Sequence, residues 1–92
     1  MVSREVTVRN QLGMHARAAA RFVHTASAFQ SRVRVGRGSR VMDGQSIMGV
    51  LLLAASCGSS VTISADGPDE GPALEALCRL VESGFGEEPC IA

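Results

Sequence analysis

At 92 residues the chain can bury one small core and is too short for a second, so a separate catalytic domain is not expected. Nine basic residues, all arginine, balance nine acidic ones, so overall charge favours neither nucleic acid nor an anionic membrane as a partner, and any basic site must be local. No apolar run approaches the roughly 18 residues of a membrane span and no signal-peptide layout opens the chain, so membrane insertion is not expected and the cytoplasm is the expected address.

Val6 and Val8 alternate with Glu5, Thr7 and Arg9, which predicts a half-buried strand over residues 2–8. In residues 16–29, Ala19, Phe22, Val23, Ala26 and Phe29 recur at steps of three and four, the spacing of one helical face. "RVRVG" and "RVMD" flank a Gly-containing connection and read as a hairpin. Ser46 then precedes an apolar segment that Gly58 can close, a short second helix. "SSVTISADG" alternates again as a fourth strand. Asp69 and Glu70 open a third helix on which Leu74, Leu77, Cys78, Val81 and Phe85 share a stripe, ended by Gly84 and Gly86. Residues 87–92 read as a loose tail.

The order β-α-β-β-α-β-α, with strands that alternate apolar and polar residues, predicts an α+β fold. It is an open-faced β-sandwich in which a four-stranded antiparallel sheet carries three helices on one face, a single domain over residues 1–92. Cys57, Cys78 and Cys90 are odd in number and contain no CxxC pair, so reduced thiols are expected, with Cys57 and Cys78 packed as small hydrophobes and Cys90 exposed. The pattern encodes no metal site, and no cofactor is expected.

"NQLGMHARAAARFV" carries the most chemistry. His15 stands at the cap of the first helix, where the N–H groups of Ala16, Arg17 and Ala18 lack helical partners and the dipole is positive, as an anion site requires. Arg17, Arg21 and His24 step along one exposed face from there. Imidazole can accept a phosphoryl group covalently, and amides with one arginine can neutralise its equatorial oxygens. The residues alone leave two readings open, a solvated polar cap and a phosphate site.

Ser46 reads first as a helix cap, and phosphate there would suit the helix amino end. Of Ile47 and Met48 one is expected to face solvent as a docking patch, because so short a helix cannot bury both together with residues 50–53.

"GMHAR" before a helix, "SIMGV" opening a second, "VTISADG" as the last strand and "ALEALCRLVESG" as the last helix together resemble the histidine-containing phosphocarrier proteins, HPr, of the bacterial phosphoenolpyruvate-dependent phosphotransferase system. The resemblance covers residues 2–86. It implies that His15 accepts phosphate on Nδ1 from phosphorylated enzyme I and passes it to a IIA protein or domain, as a relay and not a free-standing turnover enzyme. Arg17 would steady the phosphate, with the amides of Ala16 and Arg17. It further implies that Ser46 is the target of an ATP-dependent kinase of the HPr kinase/phosphorylase type. Ala20, Arg21, His24, Ile47, Met48 and Leu51 would dock partners, and a monomer is expected of such a carrier.

Two departures stand near the site. Ala18 occupies the place where the family mostly has proline, and Met14 replaces the commoner leucine or isoleucine. "GMHAR" and "SGF" also resemble the nitrogen-related branch, NPr. Relatives lacking the active histidine are excluded by His15. The alternative from a different class is a non-catalytic module that binds an anion or an acidic protein through the basic first-helix face.

Overall fold

The computed structural model describes residues 1–90 of the chain. Four strands, β1 (Val2–Thr7), β2 (Arg32–Arg37), β3 (Arg40–Asp43) and β4 (Ser60–Asp66), form one antiparallel sheet in the order β1-β4-β2-β3. The register sets Val6 against Val61, Ile63 against Val35 and Ala65 against Val33, so one apolar row crosses the sheet. Alternation turns Ser3, Glu5, Thr62, Ser64, Arg32 and Arg34 to the other face. Three helices, α1 (Ala16–Ser27), α2 (Ile47–Leu52) and α3 (Glu70–Glu82), cover the apolar face, as the strand pattern predicts.

The core joins Phe22 of α1, Val50 of α2, and Leu77 and Val81 of α3 to Val33, Val35, Val61 and Ile63 of the sheet, all at most 1% exposed. Burying each such side chain contributes about 1.5–3 kcal/mol relative to exposure. Cys78 lies in this core as a free thiol, as its place on the α3 stripe predicts, and burial pushes its pKa up.

α1 ends at Ser27, two residues short of the predicted end, and Phe29 still packs on the core from the following turn. α2 stops at Leu52 and not near Gly58, because Ala54 turns left-handed at φ 51°. The carbonyls released there are claimed from outside the helix. Arg40 donates to Leu52 O at 2.9 Å, and Arg37 to Leu53 O and Ala54 O at 3.1 and 3.2 Å. The hairpin arginines thus fix the end of α2, a use that strand alternation does not reveal.

Asp69 sits at the start of α3 as predicted but makes no side-chain cap bond there. Its carboxylate accepts instead from the N–H groups of Gln30 and Ser31, both at 2.9 Å, and ties the α1–β2 connection to the helix.

The carboxyl-terminal segment corrects two expectations. Residues 87–90 are docked and not loose: Gln11 N–H donates to Glu88 O at 2.8 Å, Cys90 N–H to Arg9 O at 2.7 Å, and Asn10 pairs with Pro89 as an antiparallel bridge. Residues 91 and 92 lie outside the described residues. Cys57 and Cys90 form a disulfide across 33 residues, in place of the two reduced thiols expected. Their spacing in sequence carries no sign of it, because the pairing depends on the tail returning beside residues 8–10. Cys57 is exposed and Cys90 only half-buried, the reverse of the expected order.

The return is made by three successive left-handed residues in the 3-10 turn Gly84–Gly86, with φ of 71°, 57° and 70°. Glycine adopts that region freely at both ends, while Phe85 in the middle is strained by about 1–3 kcal/mol and is held by its burial.

Candidate functional site

The site lies where the β1–α1 loop, the start of α1 and the returning tail meet. Gly13 positions the loop: its φ is +67°, and a Cβ there would stand 2.6 Å from Ala55 O, so only glycine lets the backbone lie this close to residues 55–56. Met14 N–H then donates to the same Ala55 O at 2.9 Å, with the Met14 side chain buried in the core. Asn10, fully buried, holds the other side by donating Nδ2 to Gly13 O at 2.7 Å and to Glu87 Oε1 at 3.0 Å.

His15 is the amino-terminal cap of α1, with extended backbone (φ −74°, ψ −179°). Its Nδ1 accepts from Arg17 N–H at 3.3 Å, and its Nε2 lies 2.8 and 2.9 Å from the two oxygens of Glu87. A backbone N–H only donates and an ionised carboxylate only accepts, so both neighbours assign the same ring state: the hydrogen on Nε2 and the lone pair on Nδ1. The imidazole is 26% exposed and Glu87 15%, so the ring is held in place without being sealed off. The bond to His15 is the main influence holding the Glu87 carboxyl below its ordinary pKa, followed by the bond from Asn10 and the charge of Arg17, against an opposing desolvation cost.

Arg17 is exposed and lines a groove with Gln11, Leu12, Arg21, Gly86, Glu87 and Glu88. The amides of Ala16 and Ala18 have no acceptor among the described residues, and that of Arg17 meets only Nδ1. His15 Nδ1, the unbonded amide of Ala16, the positive helix end and the exposed Arg17 side chain thus lie within three residues at the start of α1, an arrangement able to hold a tetrahedral dianion beside a nucleophilic nitrogen. Among the described residues no group of His, Cys, Asp or Glu side chains is placed to hold a metal ion.

Ala18 is fully buried beneath this cap, and α1 starts at Ala16 in its presence. Ser46 caps α2, its Oγ accepting from Gly49 N–H at 3.1 Å, as its spacing predicts. Ala20, Arg21 and His24 are exposed on α1, and Ile47 and Met48 are both exposed on α2, at 45% and 65%. Arg21 is less free than its position suggests, because Nη1 donates to Phe85 O. Leu51 is half-buried against the core, and the outward-facing apolar residue of that turn is Leu52, 51% exposed.

Glu87 is the site residue that sequence pattern alone misses. No periodic or motif signal marks it, because its place depends on the tail returning beside residues 8–10.

Residues 2–83 match the family model described as "PTS HPr component phosphorylation site". The chain is 48% identical over 87 residues to the phosphocarrier protein HPr of Cupriavidus necator, covering 95% of this chain and 98% of that one. It is 47% identical over 88 residues to HPr of Xylella fastidiosa Temecula1, covering 96% and 99%. HPr-C-His from Thermoanaerobacter tengcongensis superposes with a TM-score of 0.91 at 44% identity, covering 96% of this chain and 99% of that structure. The fold and the site define a small phosphoryl-carrying protein. The chain belongs to the HPr family, the histidine phosphocarriers of the phosphotransferase system.

Proposed function

We propose that His15 Nδ1 is the atom that takes the phosphoryl group from the phosphohistidine of enzyme I and gives it to a histidine of a IIA protein or domain, in the phosphoenolpyruvate-dependent uptake of sugar. The observation that carries this is the distinction between the two ring nitrogens: the Nε2 hydrogen is spoken for by Glu87, and Nδ1 keeps its lone pair at the open amino end of α1. Nδ1 attacks phosphorus in line, and the P–N bond to the donor breaks with its electron pair returning to the donor imidazole. The new Nδ1–P bond leaves the His15 ring cationic with its hydrogen on Nε2, where the Glu87 carboxylate offsets the charge. A ring kept in that state is a good leaving group, so the phosphoryl group stays transferable.

The amides of Ala16 and Arg17 and the Arg17 guanidinium neutralise the phosphoryl oxygens. Ala20, Arg21 and His24 of α1 with Ile47, Met48 and Leu51 of α2, joined by Leu52, form the surface met in turn by donor and acceptor. The exposure of Ile47, Met48 and Leu52 beside the site supports this. Met48→Glu weakens binding to enzyme I, mainly through slower association. Ser46, at the edge of the same surface, is the site for an ATP-dependent kinase, whose phosphate would repel acidic partners. The protein works as one domain and a monomer in the cytoplasm. The relatives named HPr favour the sugar branch over the nitrogen-related one.

Mixing the protein with phosphoenolpyruvate and its own enzyme I should add about 80 Da, acid-labile and base-stable, as expected of a phosphoramidate intermediate. The label maps to His15 and is absent from His15→Ala. A wild-type chain that binds enzyme I and takes no label would favour the non-catalytic module.

A further inference from the structure

We infer that Cys57 and Cys90 are a thiol–disulfide exchange site that sets the reactivity of His15 through Glu87. The inference rests on the phosphocarrier reading of His15. The disulfide joins two segments that each hold the active loop. Cys57 follows, by two residues, the Ala55 carbonyl that receives Met14 N–H and against which Gly13 packs. Cys90 follows Glu87 by three residues, and Glu87 holds His15 Nε2 and Asn10 Nδ2. Closing the bond therefore clamps the tail on the loop and places the carboxylate under the imidazole.

Without the bond the tail retains two backbone hydrogen bonds, from Gln11 and Cys90, which together make the Asn10–Pro89 bridge, and the contacts of Glu87 with Asn10 and His15. The 3-10 turn that feeds it carries a strained Phe85. Such a segment opens more often once the covalent tie is cut. His15 then loses its Nε2 acceptor, the ring turns more freely, and a smaller fraction presents the Nδ1 lone pair at the helix end.

Access fits exchange. Cys57 is exposed and Cys90 half-buried, whereas Cys78 is sealed in the core and takes no part. Exposed disulfides are the labile kind, and those of cytoplasmic proteins are usually transient. In closure, two thiols lose two electrons and two protons to a small-molecule disulfide such as oxidised glutathione, which leaves as two thiols. A dithiol reductant reverses the step.

The test compares wild-type protein treated with oxidised glutathione and with dithiothreitol, each then freed of reagent, in single-turnover transfer from phospho-enzyme I. Peptide mapping should find Cys57 linked to Cys90 after oxidation, and the reduced form should label His15 about threefold to tenfold more slowly, the scale of a loosened reacting group. Long-range proton–nitrogen spectra of the imidazole should show the Nε2–H tautomer sharpened in the oxidised form. Cys90→Ser and Cys57→Ser should both behave as the reduced protein in either buffer. Glu87→Gln should still form the disulfide but lose most of the rate difference, which a purely structural clamp would not do.

Equal His15 labelling rates in the two wild-type forms overturn the inference alone. So does a rate difference undiminished in Glu87→Gln, or no linked peptide after oxidation. Absence of label from His15 in both forms overturns the phosphocarrier reading, and the inference with it.

Discussion

His15 Nε2 stands 2.8 Å from Glu87 Oε1, a contact between residues 72 apart in the chain, and it makes the carboxyl-terminal tail part of the proposed phosphorylation site. The Glu87 carboxyl is held below its ordinary pKa first by that bond. A folded-state pKa below the unfolded value means the contact contributes stability above the unfolded carboxylate range and loses it as pH falls through the depressed folded value. The Glu87 carboxyl carbon should therefore titrate by NMR with a midpoint below the ordinary value of 4.5, and the midpoint should move up in His15→Ala. A wild-type midpoint at or above 4.5 would dismiss the contact. Asp69, lowered chiefly by its bond from Ser31, acts in the same sense, so Asp69→Asn should lose stability at neutral pH and little in acid.

Arg17→Ala should leave the circular dichroism spectrum and melting curve close to wild type, because the side chain is exposed. Transfer from phospho-enzyme I should slow by about one to three orders of magnitude, the usual effect of removing one donor aimed at developing charge. An unchanged single-turnover rate would remove Arg17 from the phosphate's surroundings.

Gly13→Ala should cost about 2 kcal/mol or more in chemical denaturation, since a left-handed φ is strained for alanine and the new methyl meets Ala55 O. The displaced loop should also slow labelling of His15. Loss of stability with an unchanged rate would mean that Gly13 serves folding alone.

Ser46→Ala removes the bond from Gly49 N–H and should lower stability by about 1 kcal/mol. Ser46→Asp keeps a cap acceptor and adds a charge, so it should fold with near wild-type stability and bind acidic partners more weakly, read by titration calorimetry. A large loss of stability in Ser46→Asp would assign the residue to folding more than to docking.

What the sequence shows of this molecule follows the range of the interactions. The strands around Val6, Val33, Val61 and Ile63 are legible from alternation to within a residue or two, because each is set by which face is buried. The caps at His15 and Ser46 are legible because a cap is a local event three or four residues long. The end of α2 is not, since Arg37 and Arg40 reach its carbonyls from a hairpin whose arginines look like solvent-facing residues. The role of Glu87 is not legible either. It comes with the left-handed turn at Phe85, the bridge from Asn10 to Pro89 and the bond from Cys57 to Cys90, none of which leaves a periodic trace. The tail therefore reads as polar and loose when its backbone is docked.

The sheet has all three helices on one side, and Thr62 lies in the middle of its uncovered side, paired with Glu5 on one flank and Gly36 on the other. A fluorophore or spin label attached there is carried on the surface turned away from α1 and α2. It would report the slower tumbling of a complex while leaving α1 and α2 bare for the proposed partners, so that their arrival and departure could be watched on one labelled molecule.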